Sequence, residues 1–190
     1  MSSNVNPYNG IWSLEIAARR HKCDLMLAAI IGMTFSPKST ADIGCGNGQY
    51  CAILKAYGWK DVVGYEGTKN VTSLGYYNDI RYVDLTQKLL VANPYDLVLC
   101  LEVGEHIPPQ HEQIFLDNLC KFASNDMVLS WAPHDQYSAS GHVNCQKKEY
   151  IISEVEKRGF KFNSSKTNFI MEYASFPWFR RNLMVFKKQV

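Results

Sequence analysis

The sequence predicts an α/β fold: a doubly wound, mostly parallel sheet of seven strands with helices on both faces. Three observations predict it. From residue 40 onward, short apolar runs alternate with amphipathic stretches, the rhythm of strand, helix, strand. A glycine-rich turn, Gly44-Cys45-Gly46-Asn47-Gly48, follows the first of those runs. The last two strands are expected to follow one another without a helix, as an antiparallel hairpin at the C-terminus. Residues 1–36 are expected to add an N-terminal segment and helix to the same domain, whose main body is 37–190.

The composition fits one ordinary globular domain: 190 residues, 46% hydrophobic and 20% charged. Disordered, collagen-like and coiled-coil classes are excluded. A net charge of +2 gives no sign of a dedicated nucleic-acid binder, and nothing points to DNA. The longest apolar candidate, Leu25 to Met33, is nine residues, too short to span a bilayer. The opening MSSNVNPYNGIW has neither the basic nor the apolar region of a secretory signal. With six cysteines and no CxxC pair, buried free thiols in a reducing, cytoplasmic setting are expected.

The first dozen residues, polar and carrying Pro7 and Gly10, are expected to be mobile. Leu14, Ala17, Ala18, Leu25, Ala28 and Ala29 recur at helical spacing, so one helical region is read from Leu14 to Met33. Thr40–Ile43 is the first strand. Tyr50, Ile53, Leu54 and Tyr57 mark one helix face, closed by Gly58. Asp61–Glu66, Ile80–Val83 and Tyr95–Leu101 are the next strands, the last apolar enough to be covered on both sides. A helix over Gln110–Ala123, a strand over Asp126–Trp131 and a helix over Lys147–Arg158 follow. Phe169–Tyr173 and Leu183–Phe186 are read as the closing strands. The intervening FPWFRRN segment is taken as the hairpin's apolar cover, and the basic run Ala18-Arg19-Arg20-His21-Lys22 as a solvated helix face.

Glycines at steps of two let the backbone approach a ligand closely. In open α/β sheets, ligands bind at the carboxyl ends of strands, where this loop stands. The spacing is G-x-G-x-G, not the G-x-G-x-x-G of dinucleotide folds, and no Gly-Lys-Ser/Thr follows to make a P-loop. Asp42, two residues before Gly44, is badly placed beside a pyrophosphate but suits a ligand carrying an ammonium group.

At this point the chain resembles the class I S-adenosylmethionine-dependent methyltransferases. Their first motif, acid-x-Gly-x-Gly-x-Gly, is matched by Asp42, Gly44, Gly46 and Gly48. The resemblance, spanning about 37–190, implies a Rossmann-like methyltransferase fold and S-adenosylmethionine as cofactor. It places Glu66 on the ribose hydroxyls and Asp84 on the adenine amino group, with Cys45, Gly67, Leu85 and Leu101 beside them.

After the fourth strand comes Glu102-Val103-Gly104-Glu105-His106-Ile107-Pro108-Pro109. It lacks the Asp/Asn-Pro-Pro-aromatic clamp of enzymes that methylate base amines. Glu102, Glu105 and His106 stand at i, i+3 and i+4 and share a face if the stretch is helical. With His142 from a later loop, or His134 second to it, they could hold Mg²⁺, Mn²⁺, Fe²⁺ or Zn²⁺. The run is similar to the metal site of the small-RNA terminal 2′-O-methyltransferases and to a segment of the ubiquinone-pathway O-methyltransferases. Two alternatives stay open: His106 as a general base, with Glu105 beside it, or a turn that only packs.

The expected function is methyl transfer from S-adenosylmethionine to a hydroxyl of a small molecule, sugar or RNA end, with or without a divalent cation. A catalytically silent methyltransferase-like binding subunit and a nicotinamide oxidoreductase are the competing classes.

Overall fold

The computed structural model describes residues 5–136, 139 and 141–189. Two helices precede the sheet, α1 (Leu14–Arg20) and α2 (Leu25–Thr34). The single helical region read from Leu14 to Met33 is thus broken at 21–24. Asp24 causes the break. Its Oδ1 accepts the backbone N–H groups of Met26 and Leu27, which starts a new helix. Its Oδ2 accepts two more from Ser175 and Phe176, each at 2.7 Å, and so ties this corner to the far end of the chain.

The order is then β1 (Ser39–Ile43), α3 (Gln49–Ala56), β2 (Asp61–Glu66), β3 (Ile80–Tyr82), β4 (Tyr95–Cys100), α4 (Glu112–Phe122), β5 (Ala123–Ser130), α5 (Lys148–Glu156), β6 (Phe160–Phe162), α6 (Ser164–Tyr173), α7 (Phe179–Asn182) and β7 (Leu183–Lys188). The sheet has seven strands in the order β3-β2-β1-β4-β5-β7-β6. The first five run parallel, and β7 is antiparallel to both β5 and β6. The doubly wound sheet and its antiparallel C-terminal pair are as expected, but α6 and α7 lie between the two strands of that pair, which the sequence had following one another without a helix.

The outer strand of that pair is not where the sequence placed it. Phe169–Tyr173 is helical, and β6 lies earlier, at Phe160–Phe162. Asn163 caps α6 by accepting the N–H of Lys166. Thr167 and Ile170, three apart, face inward, while Phe169 and Tyr173 stay exposed. That is a helix period, which a short aromatic run does not distinguish from a strand.

β4 separates two cores. Val98 and Cys100 face Phe115, Leu116 and Leu119 of α4. Leu97 and Leu99 face the other way, toward Leu27, Ile31, Leu54 and Ile170. The continuous apolar run therefore has a partner on each side. None of the six cysteines is in a disulfide among the described residues. Among the described residues no helix is long and apolar enough to cross a membrane.

The segment expected to be mobile is folded from residue 5; Met1–Asn4 lie outside the described residues. Val5 bridges Trp12, Asn6 N–H donates to the Ile11 carbonyl, and the Thr68 hydroxyl donates to the Trp12 carbonyl. Gly10 passes so close to the backbone of His106 that a Cβ there would lie 2.2 Å from its carbonyl oxygen. The segment is a strap across the carboxyl ends of the strands.

Candidate active site

β1 neighbours β2 on one side and β4 on the other, so the connections from their carboxyl ends leave in opposite directions. A cavity of about 590 Å³ opens there, beneath the strap. Of the residues predicted to hold the donor, Asp42, Gly44, Cys45, Gly46, Glu66, Gly67, Leu85 and Leu101 line it. Gly48 and Asp84 do not. Gly48 begins α3 with a positive φ of 79°, and a Cβ there would strike Tyr77, away from the cavity. Asp84 is held at the edge, where its Oδ1 accepts from Thr86 and its Oδ2 from Asn9 of the strap.

The glycine loop folds back on β2. Gly44 and Cys45 both donate to the Tyr65 carbonyl, and Gly46 N–H donates to Glu66 Oε2 at 2.9 Å. Glu66 Oε1 accepts from Thr68, so this acid is fixed across the loop. Gly44 and Gly46 need positive φ, 74° and 55°, and neither has room for a side chain. A Cβ on Gly44 would meet Val103 at 2.5 Å, and one on Gly46 the His21 ring at 2.1 Å.

Asp42 is buried at 3% exposure, and the Cys51 thiol, 3.6 Å away, donates to its carboxylate. Burial pushes its carboxyl up to about 7; the thiol contact opposes this and the Glu66 charge adds to it. A cationic ligand group would relieve that cost.

On the β4 side, Glu105, His106 and His142 bring their ligand atoms within 4.8 Å of one another. Glu105 is wholly buried; its oxygens lie close to the Ala132 backbone and the Glu102 carboxyl, but neither makes a hydrogen bond of good geometry among the described residues. Burial first, and the Glu102 charge second, hold its carboxyl well above the usual range. His106 Nδ1 lies 2.9 Å from the Gly141 carbonyl. A carbonyl can only accept, so Nδ1 carries the proton and Nε2 keeps its lone pair. Burial pushes this imidazole down to about 4, so it is neutral at pH 7. His142 is likewise lowered by burial, and its ring meets that of His106 edge-on at 5.0 Å.

Glu102 lines the same cavity but is not in this cluster. The turn after β4 is a short 3-10 helix, Gly104–His106, and Glu102 precedes it with a positive φ of 57°. Its Oε1 accepts from Asn182 Nδ2 at 2.7 Å and its N–H donates to Ser130. The turn is not α-helical, yet the Glu102 and Glu105 carboxyls still meet, and the Glu102 charge raises the Glu105 carboxyl. His134 is exposed and outside the cluster.

Sequence reasoning missed one wall of the cavity. Arg19, Arg20, His21 and Lys22, read as a solvated face, line it, as does Trp12, edge-on to His106 at 5.0 Å. Burial pushes His21 down to about 4, and its Nε2 is buried without a hydrogen-bond partner among the described residues. The signal that could have found this wall was Asp24. A helix cap inside an apolar repeat stops α1 early and turns residues 21–24 inward. Trp178 and Phe179, read as apolar cover, also reach the cavity.

The sequence matches a family model described as a methyltransferase domain over residues 16–165. No curated protein matches it. Among solved structures, a sugar N-methyltransferase from Streptoalloteichus is similar with a TM-score of 0.69, 12% identity and 90% of each chain covered. The N-methyltransferase NodS from Bradyrhizobium japonicum, in complex with S-adenosyl-L-homocysteine, gives 0.67 at 14% identity, covering 96% of this chain and 98% of that one. Magnesium protoporphyrin IX methyltransferase from Synechocystis, with bound S-adenosylmethionine, gives 0.60 at 22%, covering 87% and 77%. The likenesses show the same fold. With the family model spanning most of its length, the chain belongs to the class I S-adenosylmethionine-dependent methyltransferases.

Proposed function

We propose that this chain transfers a methyl group from S-adenosylmethionine to a hydroxyl of a small molecule, a sugar or an RNA end, using a divalent cation at Glu105, His106 and His142. The carrying observation is the wholly buried Glu105 carboxyl, facing Glu102 and two neutral histidines, in the cavity that holds the glycine loop. Two carboxylate oxygens and an imidazole Nε2 lone pair are a donor set that suits such an ion. A bound cation would lower the pKa of an acceptor hydroxyl. Residues 1–36 are taken as part of the same domain, since their strap and helices close the site.

The donor is proposed to lie along the glycine loop with its ribose at Glu66. Its amino-acid end, a zwitterion, fits between Asp42, which suits the ammonium, and the wall of Arg20, His21 and Lys22, which suits the carboxylate. The protein's part is to align donor and acceptor for in-line displacement at the sulfonium methyl and to exclude water. Leu85, Leu101 and Val103 supply apolar lining.

Labelled methyl transfer to a panel of hydroxyl compounds, sugars and RNA with free 3′ ends tests the acceptor class. Products methylated only on nitrogen would overturn it. Calorimetry tests the donor pose. His21→Ala should weaken S-adenosylhomocysteine by roughly tenfold, the value of one hydrogen bond to a charged group. It should leave 5′-methylthioadenosine, which lacks the amino-acid end, unaffected. Equal losses for both ligands would remove His21 from that role.

A further inference from the structure

His142 sits on the connection between β5 and α5, a segment with little regular structure. Its backbone is nonetheless pinned. Val143 and Asn144 N–H both donate to the Glu105 carbonyl, at 2.9 and 3.0 Å. Gln146 N–H donates to the Ala132 carbonyl, and Trp131 Nε1 donates to the Asn144 carbonyl at 2.6 Å. The side chains of the same loop converge on one carboxylate. Asn144 Nδ2 and Gln146 Nε2 each donate to Glu112 Oε2 at 2.9 Å. Glu112 Oε1 accepts from the Tyr150 hydroxyl at 2.5 Å and from Gln113 Nε2 at 3.3 Å.

Glu112 is 5% exposed, in the first turn of α4, and all these donors are neutral. Burying a carboxylate among neutral donors is costly compared with an apolar side chain in the same place. What it provides is an acceptor-only group that two loop amides can share. Both amides lie just beyond His142, in the loop whose Gly141 carbonyl also fixes the tautomer of His106.

We propose that Glu112 is a positioning residue. Through Asn144 and Gln146 it sets the loop that holds His142, and the Gly141 carbonyl, against Glu105 and His106. The proposal rests on the reading of those three residues as a cation site.

The test compares Glu112→Leu with Glu112→Gln. Leucine removes both acceptors: the buried Asn144 Nδ2 loses its partner, while the half-buried Gln146 Nε2 keeps only Asn144 Oδ1, at 2.8 Å. Glutamine can keep its oxygen toward the loop and turn its NH₂ to the Tyr150 hydroxyl, which can accept. Cobalt(II) titration, followed by its visible absorption, should show affinity lowered 10–100-fold in Glu112→Leu, the usual loss when a ligand's support is removed. It should be close to wild type in Glu112→Gln. S-adenosylhomocysteine binding should be unchanged in both. Should Glu112→Leu not fold, Asn144→Leu removes the same contact from the loop side and should show the same loss. Undiminished cobalt affinity, or an equal loss of S-adenosylhomocysteine affinity, overturns the proposal. If the wild type itself takes up no cobalt, the cation site falls. Amide hydrogen exchange then decides the role of Glu112. Exchange at Val143 and Asn144 about tenfold faster in Glu112→Leu, and normal in Glu112→Gln, supports it; unchanged exchange overturns it.

Discussion

Asp42→Asn should make the ligand-free protein more stable at pH 8 while weakening the donor. The Asp42 carboxyl is raised from an ordinary 3.8 to about 7 by burial. A raised acid holds its proton in the folded state after the unfolded state has lost it. Stability from this group is therefore intact below pH 3.8 and is lost as pH rises toward 7. The loss is on the order of 4 kcal/mol once both states are ionised. Asparagine carries no charge to bury, so the two proteins should melt alike near pH 4 and diverge above it. A difference of about 10 °C by pH 8 is expected from the usual relation of stability to melting temperature. Calorimetric affinity for S-adenosylmethionine should fall in the same variant, because the ammonium loses its counter-charge. A variant melting below the wild type at pH 8 would show that Asp42 holds a structural partner instead.

Glu105→Ala should lower turnover by roughly a hundredfold or more, the scale on which a group at the reacting proton acts. Donor affinity should not change, because Glu105 lies on the β4 side, away from the β1 and β2 loops. Chelation of the wild type should reproduce the loss, and added Mg²⁺ or Mn²⁺ should restore only the wild type. Full turnover in chelator-treated enzyme would make His106 the base. Its lowered pKa then fixes the pH profile, a rate rising through about 4 rather than near the ordinary 6.5 and flat at neutral pH.

Much of the donor side could be read from the sequence because it is local. Asp42, Gly44, Gly46 and Glu66 are set by a strand end, a turn that needs positive φ, and the next strand end. The continuous run of β4 revealed its two-sided burial for the same reason. What could not be read depends on contacts between distant segments. Asp84 is a strand-end acid as expected, but Asn9, 75 residues away, occupies its carboxylate. His21 looked solvated beside three cations because its burial comes from the glycine loop. Glu102 meets Glu105 as its spacing suggested, but the left-handed turn that carries it, and its bond from Asn182, depend on segments far apart in sequence. The sixth strand was misplaced because Phe169–Tyr173 is apolar in both readings, and only the cap at Asn163 tells them apart.

The position of β7 has a consequence for how the chain is made. It lies between β5 and β6, which are completed earlier in synthesis. A nascent chain that has not yet passed Leu183 has two open strand edges facing a gap. Asp24, near its start, still awaits the amides of Ser175 and Phe176. The half that carries the glycine loop can therefore form its parallel sheet while translation continues. Closure is left to the last segment, whose Ser175 and Phe176 must reach back 151 and 152 residues to Asp24, the slowest kind of contact to find. During that interval the exposed edges are where chaperones would be needed and where self-association would begin.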